Sequence, residues 1–350
     1  MSVEAFVQDL LGSDLPVRIR AYDGSDVGPA DARTTVILRS PEALARMVTA
    51  PGELGLARAY VAGALDIEGD IYGLMELRRF LPEVKLTPRQ VWALLKLVGL
   101  KNLRRIPPPP EEHRPSRGRL HSKRRDADAI SHHYDVSNEF YELVLGPSMT
   151  YSCAVFSDPS ETLEQAQANK YELICRKLGL RPGMRLLDIG CGWGGMVIHA
   201  AQHHGVEAVG ITLSQNQVEY ARKWVAEAGL TDRVEIRLQD YRDVDDGPFD
   251  AVSSIGMFEH VGLARLGTYF DQISQLLRPG GRVLNHAISR PSSTEAQRIR
   301  RRSFIDRYVF PDGELHEVGT VISALQDRGL EVRHMENLRE HYALTLRRWV

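Results

Sequence analysis

The stretch Leu186-Leu187-Asp188-Ile189-Gly190-Cys191-Gly192-Trp193-Gly194-Gly195 constrains this chain more than anything else in it. An apolar run breaks into glycines at every second position and continues into a segment with helical patterning. Glycine lets the backbone turn tightly and approach a ligand closely. A strand, a glycine-rich turn and a helix in that order open a doubly wound α/β sheet, whose ligands bind beyond the carboxyl ends of the strands. The pattern downstream keeps the same grammar. Strands are expected at 184–189, 206–211, 234–238, 249–255 and 282–288, with a sixth at 330–334. Helices at 194–203, 215–228 and 264–277 fall between them.

The turn narrows the ligand. A dinucleotide fingerprint reads GxGxxG, with an acid about twenty residues on at the end of the second strand. Here the spacing is GxGxG, Asp188 stands two residues ahead, and the second strand runs into Thr212, Leu213 and Ser214 with no acid. A pyrophosphate favours an unhindered helix N-terminus, which Trp193 crowds. The turn through Gly190, Cys191, Gly192, Trp193 and Gly194 fits a cofactor without phosphate, S-adenosylmethionine, with Asp188 placing its cationic end directly or through water. Gln239, Asp240 and Tyr241 follow the third strand, the usual place for an acid that reads the adenine amino group. The expected fold class is therefore α/β, a class I S-adenosylmethionine-dependent methyltransferase with a Rossmann-like doubly wound sheet, preceded by a smaller, mainly helical domain.

Single cores rarely grow beyond about 250–300 residues, so 350 residues imply two domains. Residues 1–105 form the first, with strands at 17–22 and 34–38 and helices at 41–48, 55–62, 71–80 and 87–100. Thr87-Pro88 opens the last helix as an N-cap followed by proline at the first helical position. Its apolar side carries Val91, Leu94, Leu95, Leu97 and Val98. Pro107 to Pro110 begin a stiff, extended linker over 106–126. The catalytic domain is expected at 127–350. Formal net charge is −2, but from Lys96 to Arg125 ten Lys or Arg face only Glu111 and Glu112. Such a run is either a solvated linker or a patch for nucleic acid or an anionic lipid surface. Cys153, Cys175 and Cys191 are too few and too scattered for a disulfide framework. The N-terminus lacks signal-peptide regions, and no apolar run approaches the roughly 18 residues that span a bilayer. The expected location is cytoplasmic, peripheral at the inner face of the membrane.

Further motifs converge on one family. Ser131-His132-His133-Tyr134-Asp135 and Met149-Thr150-Tyr151-Ser152-Cys153-Ala154 come ahead of the glycine turn. Gly210-Ile211-Thr212-Leu213-Ser214-Gln215-Asn216-Gln217, Gly256-Met257-Phe258-Glu259-His260-Val261-Gly262 and the segment 304–311 follow it. The chain closes on Arg339-Glu340-His341-Tyr342-Ala343-Leu344 and a few residues more. Together these resemble the cyclopropane-fatty-acyl-phospholipid synthase family over roughly 130–350. The first domain is similar in position and size to the lipid-handling domain of phospholipid-acting members, which the mycolic-acid enzymes lack. The resemblance implies a cofactor site of Tyr134, Tyr151, Ser152, Gly190, Gly192, Thr212, Gln217, Asp240 and Tyr241, with Gln217 in place of a ribose-binding acid. It also implies a bicarbonate ion held by Cys153, Glu259, His286, Tyr342 and the backbone at Ile288. Members of the family continue beyond the segment 341–346, so a last antiparallel strand and part of the acyl tunnel are expected beyond Val350. A fragment ending there would expose a sheet edge.

The implied reaction transfers a one-carbon unit to the cis double bond of an unsaturated phospholipid acyl chain. An isolated alkene is a poor nucleophile, so the sulfonium methyl must be held in line with it. The resulting carbocation must then lose a proton. Loss from the incoming methyl closes a cyclopropane; loss from a neighbouring carbon leaves a methylene or shifted alkene, as in a tuberculostearate-type precursor. Aromatic faces stabilise a cation, and Tyr134, Tyr151, Phe258, Tyr308 and Phe310 are the candidates. Bicarbonate can act as base if His286 and Tyr342 donate to it. Glu259 must then be protonated or accept the ion's own hydroxyl, since two anions in contact repel. Arg298, Arg300, Arg301 and Arg302 offer guanidiniums to a phosphate headgroup, or form a solvated helix face.

Taken alone, His286 reads as a core histidine and Cys153 as a small buried residue. His132 and His133 are adjacent and point apart on any regular element, so no metal is expected. A non-catalytic lipid-binding protein on a methyltransferase fold is the reading from another class, and the intact motifs count against it. A nucleic-acid methyltransferase would carry an Asn/Asp-Pro-Pro-Tyr type motif, which is missing, so nucleic acid is not an expected partner. A homodimer is compatible with the sequence and not specified by it.

Overall fold

The computed structural model describes residues 2–12, 14–50, 52–74, 87–99, 106–113, 119–134, 137–291 and 303–350, the side chain of His132 excepted. The chain divides into two compact units, Met1–Arg114 with Arg302–Tyr308, and Pro115–Arg301 with Val309–Val350. Among the described residues, no helix is long and apolar enough to cross a membrane.

The first unit rests on a four-stranded sheet of order β2-β1-β3-β4. Its strands are β1 Arg18–Ala21, β2 Asp26–Val27, β3 Thr34–Leu38 and β4 Leu65–Gly69. β1 is parallel to β3, and the other two pairings are antiparallel. Helices Val3–Leu11, Pro41–Thr49, Glu53–Val61 and Pro88–Val98 accompany the sheet, and Val3, Ile19, Val36, Leu44, Leu65 and Val98 share its core. Thr87 and Gln90 close a reciprocal capping box at the start of Pro88–Val98. Leu94 and Leu97 of that helix turn inward, while Val91 is exposed. Strands β2 and β4 were not expected. β2 is only two residues long, and β4 places Asp66 and Glu68, poor strand formers, on its polar side. The helix expected at 71–80 runs outside the described residues after residue 74, as does residue 100.

Residues 106–113, within the segment expected as a stiff, extended linker, are held against the first unit. Pro109 and Glu112 are buried. The Arg46 guanidinium donates to the Pro107 carbonyl at 3.1 Å, and Arg58 grips Glu112 through two bonds of 2.6 and 2.7 Å. Arg46, Arg58 and 106–113 all belong to the first unit, so the prolines are held to it by charge-assisted bonds.

The second unit is a five-stranded parallel sheet of order β7-β6-β5-β8-β9. Its strands are β5 Arg185–Ile189, β6 Glu207–Thr212, β7 Val234–Leu238, β8 Phe249–Ile255 and β9 Leu277–His286. The chain starts in the centre at β5, builds outward to β7, then crosses back to β8. That reversal beside β5 is the switch point at which such sheets bind ligands. Alternate residues of β5 feed two cores. Leu186 packs under helices Leu163–Leu178, Gly195–His204 and Gln215–Glu227; Leu187 and Ile189 pack under Leu266–Leu276. The sixth strand expected at 330–334 does not form. Glu331 and Arg333 are exposed, and no described strand lies alongside to complete a ladder.

Candidate active site

β5 ends in a turn whose glycines take positive φ: +80° at Gly190, +56° at Gly192 and +94° at Gly194. A Cβ on Gly190 would stand 2.8 Å from the Met257 Cβ, so conformation and space both require glycine there. The N–H groups of Gly190 and Cys191 donate to the Ile211 carbonyl at 2.9 and 3.0 Å. The turn is thereby pinned to the end of β6.

These strand ends wall a cavity. Gly190, Cys191, Gly192 and Trp193 line it after β5, Thr212, Leu213 and Gln217 after β6, and Gln239 and Tyr241 after β7. Tyr134, Tyr151 and Ser152 close it from the segment that precedes the sheet. Thr212 Oγ1 donates to Gln217 Oε1 at 2.6 Å. With its oxygen so engaged, buried Gln217 presents N–H donors, which suit the hydroxyl oxygens of a ribose.

Four expected cofactor residues stand behind this wall. Gly194 caps the helix Gly195–His204. Ser214 caps Gln215–Glu227, its Oγ accepting from Gln217 N at 3.2 Å. Asp240 faces Arg242, accepting from its Nε at 2.7 Å and its Nη2 at 2.6 Å. Asp188 is buried and accepts from Ser253 Oγ at 2.6 Å. Burial pushes Asp188 up to about 6, with the Ser253 bond and Lys170 holding it back.

Lys170 is the residue the sequence reading missed. Helix Leu163–Leu178 buries Leu163, Gln167, Lys170, Tyr171, Ile174, Cys175 and Leu178 on one face. Gln167 Nε2 donates to the carbonyls of Thr150 and Ser152 at 3.3 and 3.0 Å. Lys170 Nζ donates to Ser152 Oγ at 2.9 Å, and the Tyr171 hydroxyl meets Thr150 Oγ1 at 2.5 Å. The three positions i, i+3 and i+4 lie on one helix face and hold the Thr150–Ser152 backbone at the cavity. The signal was available: two polar residues, Gln167 and Lys170, stand on the apolar stripe of an amphipathic helix.

A second group lies at the ends of β8 and β9. Glu259 sits on a short turn, Phe258–His260, after β8, and its Oε1 accepts from Ile288 N at 2.8 Å. The backbone donor expected to face an ion is thus already engaged with Glu259. Oε2 of Glu259 and Nδ1 of His286 are buried with no hydrogen-bond partner among the described residues. Burial raises the Glu259 carboxyl and lowers His286 to about 4, so the imidazole is neutral at pH 7. Burial also pushes the Cys153 thiol up to about 11, with Lys170 opposing, and raises the Tyr342 phenol, with Glu259, Cys153 and Tyr151 adding to the rise. Tyr342 is carried by helix Arg339–Trp349, which is tied to the Cys153 segment. Thr345 Oγ1 accepts from Ala154 N at 3.0 Å, and His341 Nδ1 from Phe156 N at 3.1 Å.

The expected cation-stabilising aromatics separate. Tyr134 and Tyr151 are at the cavity in edge contact, 6.3 Å between centroids, and Phe310 lies tilted against His133, 4.7 Å between centroids. Phe258 is core, packed on Tyr269, Phe270 and His316. Tyr308 belongs to the first unit, where its hydroxyl donates to Glu112 at 3.2 Å. The arginines at 298–302 and the His132 side chain lie outside the described residues.

Residues 121–350 match the family model described as mycolic acid cyclopropane synthetase. Over 344 residues the chain is 50% identical to a probable fatty acid methyltransferase of Mycobacterium tuberculosis, covering 95% of this chain and 80% of that one. It is 36% identical over 349 residues to the tuberculostearic acid methyltransferase of the same organism, covering 96% and 77%. Among solved structures it is similar to a mycolic acid cyclopropane synthase complexed with SAH and CTAB. That match has a TM-score of 0.59 at 35% identity, covering 64% of this chain and 81% of that one.

Proposed function

Because the chain belongs to the mycolic acid cyclopropane synthetase family of S-adenosylmethionine-dependent enzymes, we propose that it transfers the cofactor's methyl carbon to the cis double bond of an unsaturated phospholipid acyl chain and closes a cyclopropane. The observation that carries this reading is the pair of buried, unpartnered polar atoms, Glu259 Oε2 and His286 Nδ1, at the strand ends beside the cofactor cavity. Buried polar atoms are normally satisfied. A neutral imidazole, a phenol and a thiol provide hydrogen-bond donors to an anion without adding fixed charge.

The donor set fits bicarbonate. Cys153, Glu259, His286 and Tyr342 would hold it. When bound, bicarbonate supplies the base that removes the proton after methyl transfer. The alkene π electrons form the new bond to the methyl carbon as the S–CH₃ bond breaks onto sulfur. The electrons of the lost C–H bond then close the ring. The chain's own residues position and shield. Glu259 Oε2, buried without a partner among the described residues, would accept the ion's hydroxyl. Tyr134 and Tyr151 offer π faces to the positive charge, and the aromatic walls keep water from it.

A second reading keeps the same site and changes the proton lost, giving a methylene- or methyl-branched chain. The similarity to a tuberculostearic acid methyltransferase favours it. Proton NMR of lipid recovered after incubation with S-adenosylmethionine and oleoyl phosphatidylglycerol vesicles separates the two. Upfield ring-methylene signals support the first reading, and exomethylene or branch-methyl signals replace it with the second. The anionic vesicle also tests the proposed peripheral contact of the enzyme with a membrane surface, which sedimentation with the vesicles would report.

A further inference from the structure

Lys170 has no part in the chemistry above, yet the residue is 3% exposed and stands on the cavity wall. Burying a charge is costly unless it is paired. Among the described residues its partners are one neutral acceptor, Ser152 Oγ at 2.9 Å, and the face of the Tyr171 ring, 4.4 Å from Nζ. An ammonium has three N–H donors. The titratable groups around it are Cys153 from the segment before the sheet, Asp188 from β5, His286 from β9 and Tyr171 on its own helix. Among these Asp188 is the one carboxylate, and it accepts from Ser253 instead. The amino-acid end of S-adenosylmethionine carries a carboxylate and an ammonium on one carbon. A buried lysine and a buried aspartate on neighbouring elements are charge-complementary to that end.

We propose that Lys170 binds the carboxylate of the cofactor's amino-acid end, with Ser152 steering its ammonium into place. Asp188, behind the cavity wall, then acts on the cofactor's cationic groups through its field. Burial draws Lys170 down to about 7, with Cys153 and Asp188 opposing. Above pH 7 the free protein therefore holds largely neutral amine. An arriving carboxylate favours the charged form, so cofactor binding takes up a proton there. The proposal rests on the cofactor and not on the lipid, and it stands even if the acyl product differs from the one proposed.

The test is titration calorimetry on the full chain with two probes: S-adenosylhomocysteine, and 5′-methylthioadenosine, which lacks the amino-acid end. Lys170→Met should weaken S-adenosylhomocysteine at least about tenfold, the scale of a lost charge-assisted bond, and leave methylthioadenosine unchanged. Lys170→Arg should recover part of the loss. At pH 8, wild-type binding of S-adenosylhomocysteine measured in buffers of different ionisation heat should show proton uptake, which methylthioadenosine does not. Equal weakening of both probes, or an unchanged S-adenosylhomocysteine affinity, overturns the assignment. So does a wild-type protein that takes up no proton, a result that depends on no variant.

Discussion

Ile288 N donates to Glu259 Oε1 at 2.8 Å, which ties the segment after β9 to the turn after β8. One carboxylate oxygen is spent on architecture, and the other stays buried without a partner among the described residues. Glu259→Gln can keep the Ile288 bond through its amide oxygen while putting N–H donors, in place of an acceptor, toward the ion's hydroxyl. S-adenosylmethionine affinity should be unchanged and product formation should fall by about 10²–10³, the scale of a misplaced polar group in an active site. Undiminished turnover in a single-turnover assay would remove Glu259 from the mechanism.

Gly190→Ala should be destabilising in two ways. Its φ of +80° disfavours any side chain, and the added Cβ meets Met257. A loss of about 1–3 kcal/mol in urea unfolding is expected, with weakened cofactor binding. Gly183 supplies the control: it has φ +82°, but a methyl added there would meet nothing within 4 Å. Gly183→Ala should lose only the backbone part, about 1 kcal/mol, and bind cofactor normally. Equal effects at the two positions would contradict the steric argument.

That pairing shows what the residues announced and what they withheld. The spacing Gly190, Gly192, Gly194 after an apolar run specified strand, turn and helix, and with them a doubly wound α/β sheet. The same reasoning named Asp188, Ser214 and Asp240, because position beyond a strand end is legible while the partners each side chain takes are not. Ser253, Gln217 and Arg242, respectively, hold those residues, through contacts that a spacing pattern does not encode. The strand expected at 330–334 failed for a related reason: alternation marks a candidate strand, but a partner edge makes it one. Lys170 shows the opposite case, where a polar residue on an apolar stripe was visible and went unread.

His121 gives a pH signature of stability. Burial alone would lower it, but Asp126 at 3.6 Å and Glu314 at 3.7 Å outweigh that and raise it to about 9. A raised folded-state value stabilises fully below the unfolded value near 6.5 and is lost as pH rises through about 9. Wild type should therefore lose on the order of 1–3 kcal/mol relative to His121→Gln between pH 6.5 and 9. Parallel stability curves in urea titrations across that range would refute the pairing.

Thr345→Val removes the acceptor for the buried Ala154 N–H, next to Cys153. An unsatisfied buried donor costs about 1–3 kcal/mol. The expected result is faster amide exchange across Arg339–Trp349 and at Ala154, with exchange in β5 and β6 unaltered. Uniform acceleration would instead mean a global loss of stability.

The most direct test of the account uses S-adenosylmethionine with a trideuterated methyl group, the full chain, and oleoyl phospholipid vesicles, with mass spectrometry of the recovered acyl chains. Methyl transfer followed by loss of a deuteron from that methyl predicts acyl chains that gain one carbon, with its two remaining deuterons, at the former double bond. Cofactor bound by the protein with no deuterium in any acyl chain would contradict the central claim.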